Sequence, residues 1–278
     1  GSRGAMAQSQ PIAKLRNGLS YPMLGLGCAS GVREDDVLSA IRQGYRLLDT
    51  AAAYEWGYHE DEVGRAVAKS GLRDNVFVQT KVRTLPGTDV RAAVRACLGR
   101  LKLDHLDALL IHKPEGEWQL GWRVLEQLYA EGVVRSIGVS DMTVDKLTEL
   151  MGFAREPPMI LQNWFEPFHH DLAVRDFCRQ HHIVYQSFSL LGTQWPMVLG
   201  LPRGSPNPVR NHGVLVDIAG QHGKTVPQVI LRWALSEGVA VVPASTSEAH
   251  RLENLEVMGF ELGEEDLSTI RGLDGGMP

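Results

Sequence analysis

The sequence is poor in cysteine. Cys28, Cys97 and Cys178 are the three in 278 residues, an odd number set far apart. They form no Cys-x-x-Cys pair and no zinc-ligand pattern, so neither a disulfide-stapled scaffold nor a metal site is expected. Long apolar runs are missing as well. None reaches the roughly 18–20 residues that a membrane-spanning helix requires. There is no secretory signal: Gly1-Ser2-Arg3-Gly4-Ala5 reads as a remnant of an expression vector, with Met6 as the native start. A cytoplasmic location with reduced thiols is the expectation. Positive charge is not in excess either. Lys plus Arg is 28 against 33 Asp plus Glu, a formal net charge of −5. That balance argues against a general nucleic-acid binder. Low-complexity tracts and short internal repeats are absent.

What is present is an ordinary globular mixture, 44% hydrophobic and 22% charged. Short apolar runs suited to strands buried on both faces fall at 23–27, 47–49, 76–80, 106–111, 136–139, 160–163, 183–187 and 240–242. Amphipathic helical patterns lie between them. Residues 89–101, for example, carry Val90, Ala93, Val94, Cys97 and Leu101 at helical spacing. Eight such units predict an α/β fold, a single (β/α)8 TIM barrel over residues 6–278 with a short N-terminal segment and a short C-terminal tail. Pro and Gly collect at 200–208, which reads as a long surface loop after the seventh strand.

In such a barrel, chemistry gathers where strands end and βα loops begin. Reading those positions in order gives Asp49, Lys81, His112, Ser140-Asp141 and Gln162. A polar, titratable set at one barrel mouth points to an enzyme. Taken singly, each has a plainer reading: an ion pair for Asp49 and Lys81, a core histidine for His112. In register they are harder to dismiss.

The segment from Gly44 to Tyr54, followed by Glu62-Val63-Gly64, resembles the signature of the aldo-keto reductase family. Lys81 and the run Ile111-His112-Lys113-Pro114 fall where that family keeps its lysine and histidine. The resemblance spans about Leu15 to Leu267. It implies a catalytic tetrad of Asp49, Tyr54, Lys81 and His112 and reduction of an aldehyde or ketone, with hydride from a nicotinamide and a proton from Tyr54. A carbonyl that takes a hydride develops negative charge on oxygen and needs a proton donor there. A free tyrosine, with a pKa of about 10, donates poorly at neutral pH; a nearby lysine ammonium is expected to lower it. The alternative is a cofactor-binding regulatory or scaffold barrel with little activity.

The same resemblance assigns Ser140, Asp141 and Gln162 to the nicotinamide carboxamide, with Asp141 in place of the usual Asn. It assigns Phe188 to the nicotinamide ring, and Ser245, His250, Glu253 and Asn254 to the adenosine end. NADP(H) is the implied cofactor. Ala244 and His250 replace the usual phosphate-binding Lys and Arg, so NAD(H) use is also expected, with Arg251 as a candidate substitute cation. For the substrate, Ala29 and Lys113 stand where tryptophans are common, and Trp56, Trp118, Trp164 and Trp195 are candidate walls. Partners are a small carbonyl compound, with no nucleic acid and no membrane, and the chain is expected to be a monomer.

Overall fold

The computed structural model describes residues 11–202 and 204–278. The vector remnant read at residues 1–5 lies outside the described residues. Among the described residues ten strands run as β1 (Ile12–Lys14), β2 (Ser20–Pro22), β3 (Leu26–Gly27), β4 (Leu47–Asp49), β5 (Phe77–Val82), β6 (Ala108–Ile111), β7 (Ile137–Ser140), β8 (Ile160–Trp164), β9 (Val184–Phe188) and β10 (Ala240–Val241). Strands β3 to β10 pair in sequence order, all parallel. The first and last edges are joined by bonds from the Gly25 amide to the Val241 carbonyl and from the Val241 amide to the Met23 carbonyl, each 2.8 Å. The sheet therefore closes on itself, as the eight-unit pattern predicted.

Helices α1 (Glu34–Gln43), α2 (Glu60–Ser70), α3 (Val90–Leu101), α4 (Trp118–Ala130), α5 (Val144–Phe153) and α6 (Leu172–Gln180) each follow one of the strands β3 to β8. Three helices follow β9: a single turn, α7 (Trp195–Val198), then α8 (Gly213–His222) and α9 (Val226–Ser236). After β10 come α10 (Glu248–Leu255) and α11 (Glu264–Arg271). Local chemistry sets several starts. Asp89 and Thr143 accept N-cap bonds, and Thr225 forms a reciprocal capping box with Gln228 ahead of α9. Inward faces such as Val37, Ala40 and Ile41 of α1 pack on the barrel's outer wall. Among the described residues no helix is long and apolar enough to cross a membrane.

The short N-terminal segment is an antiparallel hairpin, β1 with β2, which the sequence pattern did not reveal. Its strands are only three residues long, too short to show an alternation. Tyr21 of β2 is fully buried against Phe77 and donates to Gln79 Oε1 at 3.0 Å. With Leu15, Met23, Leu47, Leu110 and Ile160 it forms an apolar cluster separate from the main core.

Candidate active site

Asp49 ends β4 and is almost wholly buried. Its carboxylate accepts from Lys81 Nζ at 2.8 Å, Gln79 Nε2 at 2.7 Å and Gln162 Nε2 at 3.1 Å. Gln186 joins this layer by accepting from Gln79 Nε2 at 2.7 Å and Gln162 Nε2 at 2.5 Å. A buried carboxylate survives only when paired and hydrogen-bonded, and this one is both. Lys81 is completely buried and also donates to the Thr50 carbonyl at 3.0 Å. Burial works against its charge, but the charge and hydrogen bond of Asp49 oppose it, and the ammonium pKa lies above its usual value. Gln79 and Gln186 were not singled out in the sequence. The available signal was Gln79 two residues before Lys81, on the same strand face.

The structure does not bring Tyr54 to this pair. Tyr54 opens a 3-10 turn, Tyr54–Trp56, is 43% exposed and donates to Asp61 Oδ1 at 3.0 Å. It is not among the residues that line the cavity. Gly57 then reverses the chain at φ 81°, a conformation that favours glycine. The reversal carries Tyr58 inward. The Tyr58 ring centroid lies 5.3 Å from Lys81 Nζ, and Tyr58 lines the cavity. Two anchors hold that register. The next residue but one, Glu60, is fully buried; it accepts from Thr80, the neighbour of Lys81, and from Arg100 Nε at 2.8 Å. The expected acidification does not appear: burial raises the Tyr58 pKa above the usual phenol value, and Lys81 only partly opposes it.

His112 follows β6 and packs edge-on against Trp56, with ring centroids 4.8 Å apart, and against Tyr58 at 6.1 Å. Burial, reinforced by Lys81, Lys113 and Arg83, pushes its pKa down to about 2. The ring is therefore neutral, and its Nδ1 is buried with no hydrogen-bond partner among the described residues. These groups open onto a cavity of about 870 Å³. Its lining includes Ala29, Trp56, Lys113, Ser140, Asp141, Gln162, Trp164 and Phe188, then Val242, Pro243 and Ala244 at the end of β10. Gly27 allows the close approach there, since a Cβ would sit 2.5 Å from the Val242 carbonyl oxygen.

Other expected site residues lie elsewhere. Trp118 is buried in the core and packs on Phe153, 5.8 Å between centroids; it does not reach the cavity because its position is the first of α4, whose inner face it joins. Ser245, His250, Glu253 and Asn254 lie outside the cavity lining. His250 is exposed on α10, while Asn254 is buried beside the Tyr45 phenol. Arg251, the candidate substitute cation, does not line the cavity. It is buried and bonded to Asp36 Oδ1 at 3.1 Å, Gln43 Oε1 at 3.3 Å and the Ser245 carbonyl at 3.0 Å. The described residues of 200–208 hold no helix or strand, as expected of a loop; ahead of them Leu190, Leu191, Gln194 and Met197, on and before α7, line the cavity. Glu166, also missed, is fully buried and accepts from Trp195 Nε1 at 3.0 Å, tying α7 to the loop after β8.

The model of the Aldo/keto reductase family matches residues 32–274. This chain belongs to that family. It is 37% identical over 269 residues to the glyoxal reductase of Bacillus subtilis, covering 94% of this chain and 92% of that protein. Among solved structures it is similar to an aldo/keto reductase from Brucella melitensis, with TM-score 0.84, 30% identity and coverage of 96% and 100%. It is also similar to a Bombyx mori aldo-keto reductase in complex with NADP, with TM-score 0.87, 26% identity and coverage of 98% and 95%. As an aldo-keto reductase, the chain is a nicotinamide-dependent oxidoreductase that reduces carbonyl groups. The residues present fit such a cofactor. One continuous cavity joins His112 and Tyr58 to Phe188, Gln162 and the Val242–Ala244 backbone, and it is large enough for a ligand of that class.

Proposed function

We propose that Tyr58, rather than Tyr54, is the proton donor of this reductase, and that His112 orients the substrate carbonyl. The supporting observation is the placement of the Tyr58 ring 5.3 Å from the Lys81 ammonium, on the wall of the cavity. Ser140, Asp141, Gln162 and Phe188 would hold a nicotinamide, which would supply the hydride. As negative charge develops on the carbonyl oxygen, the Tyr58 phenol gives up its proton to it. A phenol with a raised pKa is fully protonated at neutral pH, yet remains far more acidic than the alcohol it creates. Lys81, held by Asp49, stabilises the phenolate left behind. Neutral His112 offers a hydrogen bond to the carbonyl and carries no proton for release near pH 7.

Both NADPH and NADH are proposed as cofactors, with little preference between them. Among the described residues lining the cavity, Lys113 is the only lysine or arginine, and it adjoins His112, whereas Ala244 stands at the β10 end. A cytoplasmic monomer completes the proposal. Cys28, Cys97 and Cys178 are all unpaired and buried, the reduced state that the cytoplasm maintains; gel filtration reads the oligomeric state.

The test is cofactor oxidation with a panel of aldehydes and ketones, wild type against Tyr58→Phe. Loss of one acid catalyst is expected to lower kcat by about 10²–10⁴-fold. Equal turnover by Tyr58→Phe removes Tyr58 from the role.

A further inference from the structure

Lys113 immediately follows His112 at the end of β6 and lines the same cavity. Its ammonium lies 5.2 Å from the Trp56 ring centroid, and Trp56 is the ring that packs edge-on against His112. A second cation, Arg83, is also 5.2 Å from Trp56 but is committed to Glu115 at 2.9 Å and Glu55 at 3.4 Å. Lys113 is committed far less. Its ammonium makes no hydrogen bond to any described residue, and its ion-pair partner, Asp141 Oδ2, is 3.8 Å away. That separation is too long for a hydrogen bond. All three N–H donors thus remain open to a ligand. The aromatic face at its side removes part of its water, and partial desolvation strengthens a cation's attraction for an anion.

We propose that Lys113 is a specificity-determining residue that selects carbonyl substrates carrying a carboxylate a few bonds from the carbonyl, the class of short oxo acids. The proposal rests on the reductase reading with His112 at the carbonyl. Adjacent residues are 3.8 Å apart at Cα, so a carbonyl held at His112 leaves a neighbouring carboxylate within reach of the flexible lysine arm. A carboxylate at 2.7–2.9 Å forms a charge-assisted hydrogen bond that the 3.8 Å pair with Asp141 lacks. Asp141 competes for the same ammonium and moderates the preference.

The test compares 4-oxobutanoate with pentanal, a neutral aldehyde of similar size, at saturating cofactor. The ratio of their kcat/KM values is the readout, because effects on cofactor binding cancel in it. Wild type is expected to favour 4-oxobutanoate about ten-fold or more. Lys113→Met is expected to abolish that preference through KM rather than kcat, Lys113→Arg to retain most of it, and Asp141→Asn to increase it a few-fold. A ratio unchanged within about two-fold in Lys113→Met overturns the proposal. If wild type reduces neither aldehyde, the reductase reading fails, and the subsite is read without turnover. Calorimetric binding of 4-hydroxybutanoate against 1-pentanol then decides: tighter carboxylate binding lost in Lys113→Met supports the proposal, and equal binding by both proteins overturns it.

Discussion

The Tyr54 hydroxyl donates to Asp61 Oδ1 at 3.0 Å, and Asp61 pairs with Arg65 at 2.9 Å. The Arg100 guanidinium lies 5.9 Å from the Tyr54 ring. Tyr54 is thus tied to α2 and α3, away from the Asp49–Lys81 pair. Tyr54→Phe is expected to keep kcat within about three-fold of wild type and to cost about 0.5–1.5 kcal/mol of stability for one hydrogen bond. Steady-state kinetics and urea unfolding check the two parts. A loss of kcat as deep as that of Tyr58→Phe would return the acid role to Tyr54.

The pH profile follows from the same site. The active form has a protonated Tyr58 and a neutral His112. The Tyr58 pKa is raised above its ordinary value, so activity is retained at neutral pH and falls as pH rises past about 10. His112 is depressed to about 2, so its titration adds no step between pH 5 and 8. A kcat/KM profile with a histidine-like break near 6.5, absent in His112→Gln, would contradict this.

Cofactor choice is testable at α10. With Arg251 engaged by Asp36, Gln43 and Ser245, the ratio of NADPH to NADH dissociation constants is expected to lie within about ten-fold of unity. His250→Arg is expected to shift that ratio about ten-fold toward NADPH, the equivalent of one charge-assisted contact of about 1.4 kcal/mol. Arg251→Met is expected to lower thermal stability and leave the ratio unchanged. Fluorescence titration with each cofactor reads all three proteins.

Glu166 provides a stability test. Burial pushes its carboxyl pKa up to about 7, opposed in part by the Trp195 bond. The folded pKa is above the unfolded one, so the group's contribution is fully present at low pH and is lost as pH rises from about 4.5 to about 7. Glu166→Gln keeps an acceptor for Trp195 and cannot ionise. Its stability relative to wild type is therefore expected to be greater at pH 8 than at pH 4, measured by urea unfolding. A pH-independent difference would contradict the assignment.

Much of this was legible in the chain. The run Leu47–Asp49 is a strand to the residue, and β8 to within one. Parallel strands buried on both faces carry mostly apolar runs, so they stand out without their neighbours. Asp49, Lys81 and His112 were legible because each lies at, or within one residue of, the end of such a strand. Positions inside βα loops were not legible in the same way. Tyr54 and Trp118 both stood at plausible spacings, yet one turned outward and the other inward into the core. Arg251 looked available one residue from His250, but that step of about 100° around α10 aims it at α1.

The sequence by itself determined the alternation of eight strands with helices, and with it the mouth where polar strand ends must meet. Both are consequences of local hydrophobic pattern. Tertiary structure decided which tyrosine faces Lys81. That choice turns on the chain reversal at Gly57 and on the buried anchor of Glu60 to Thr80 and Arg100. The partners of that anchor come from two other elements, β5 and α3, and no local pattern around the tyrosines carries their positions.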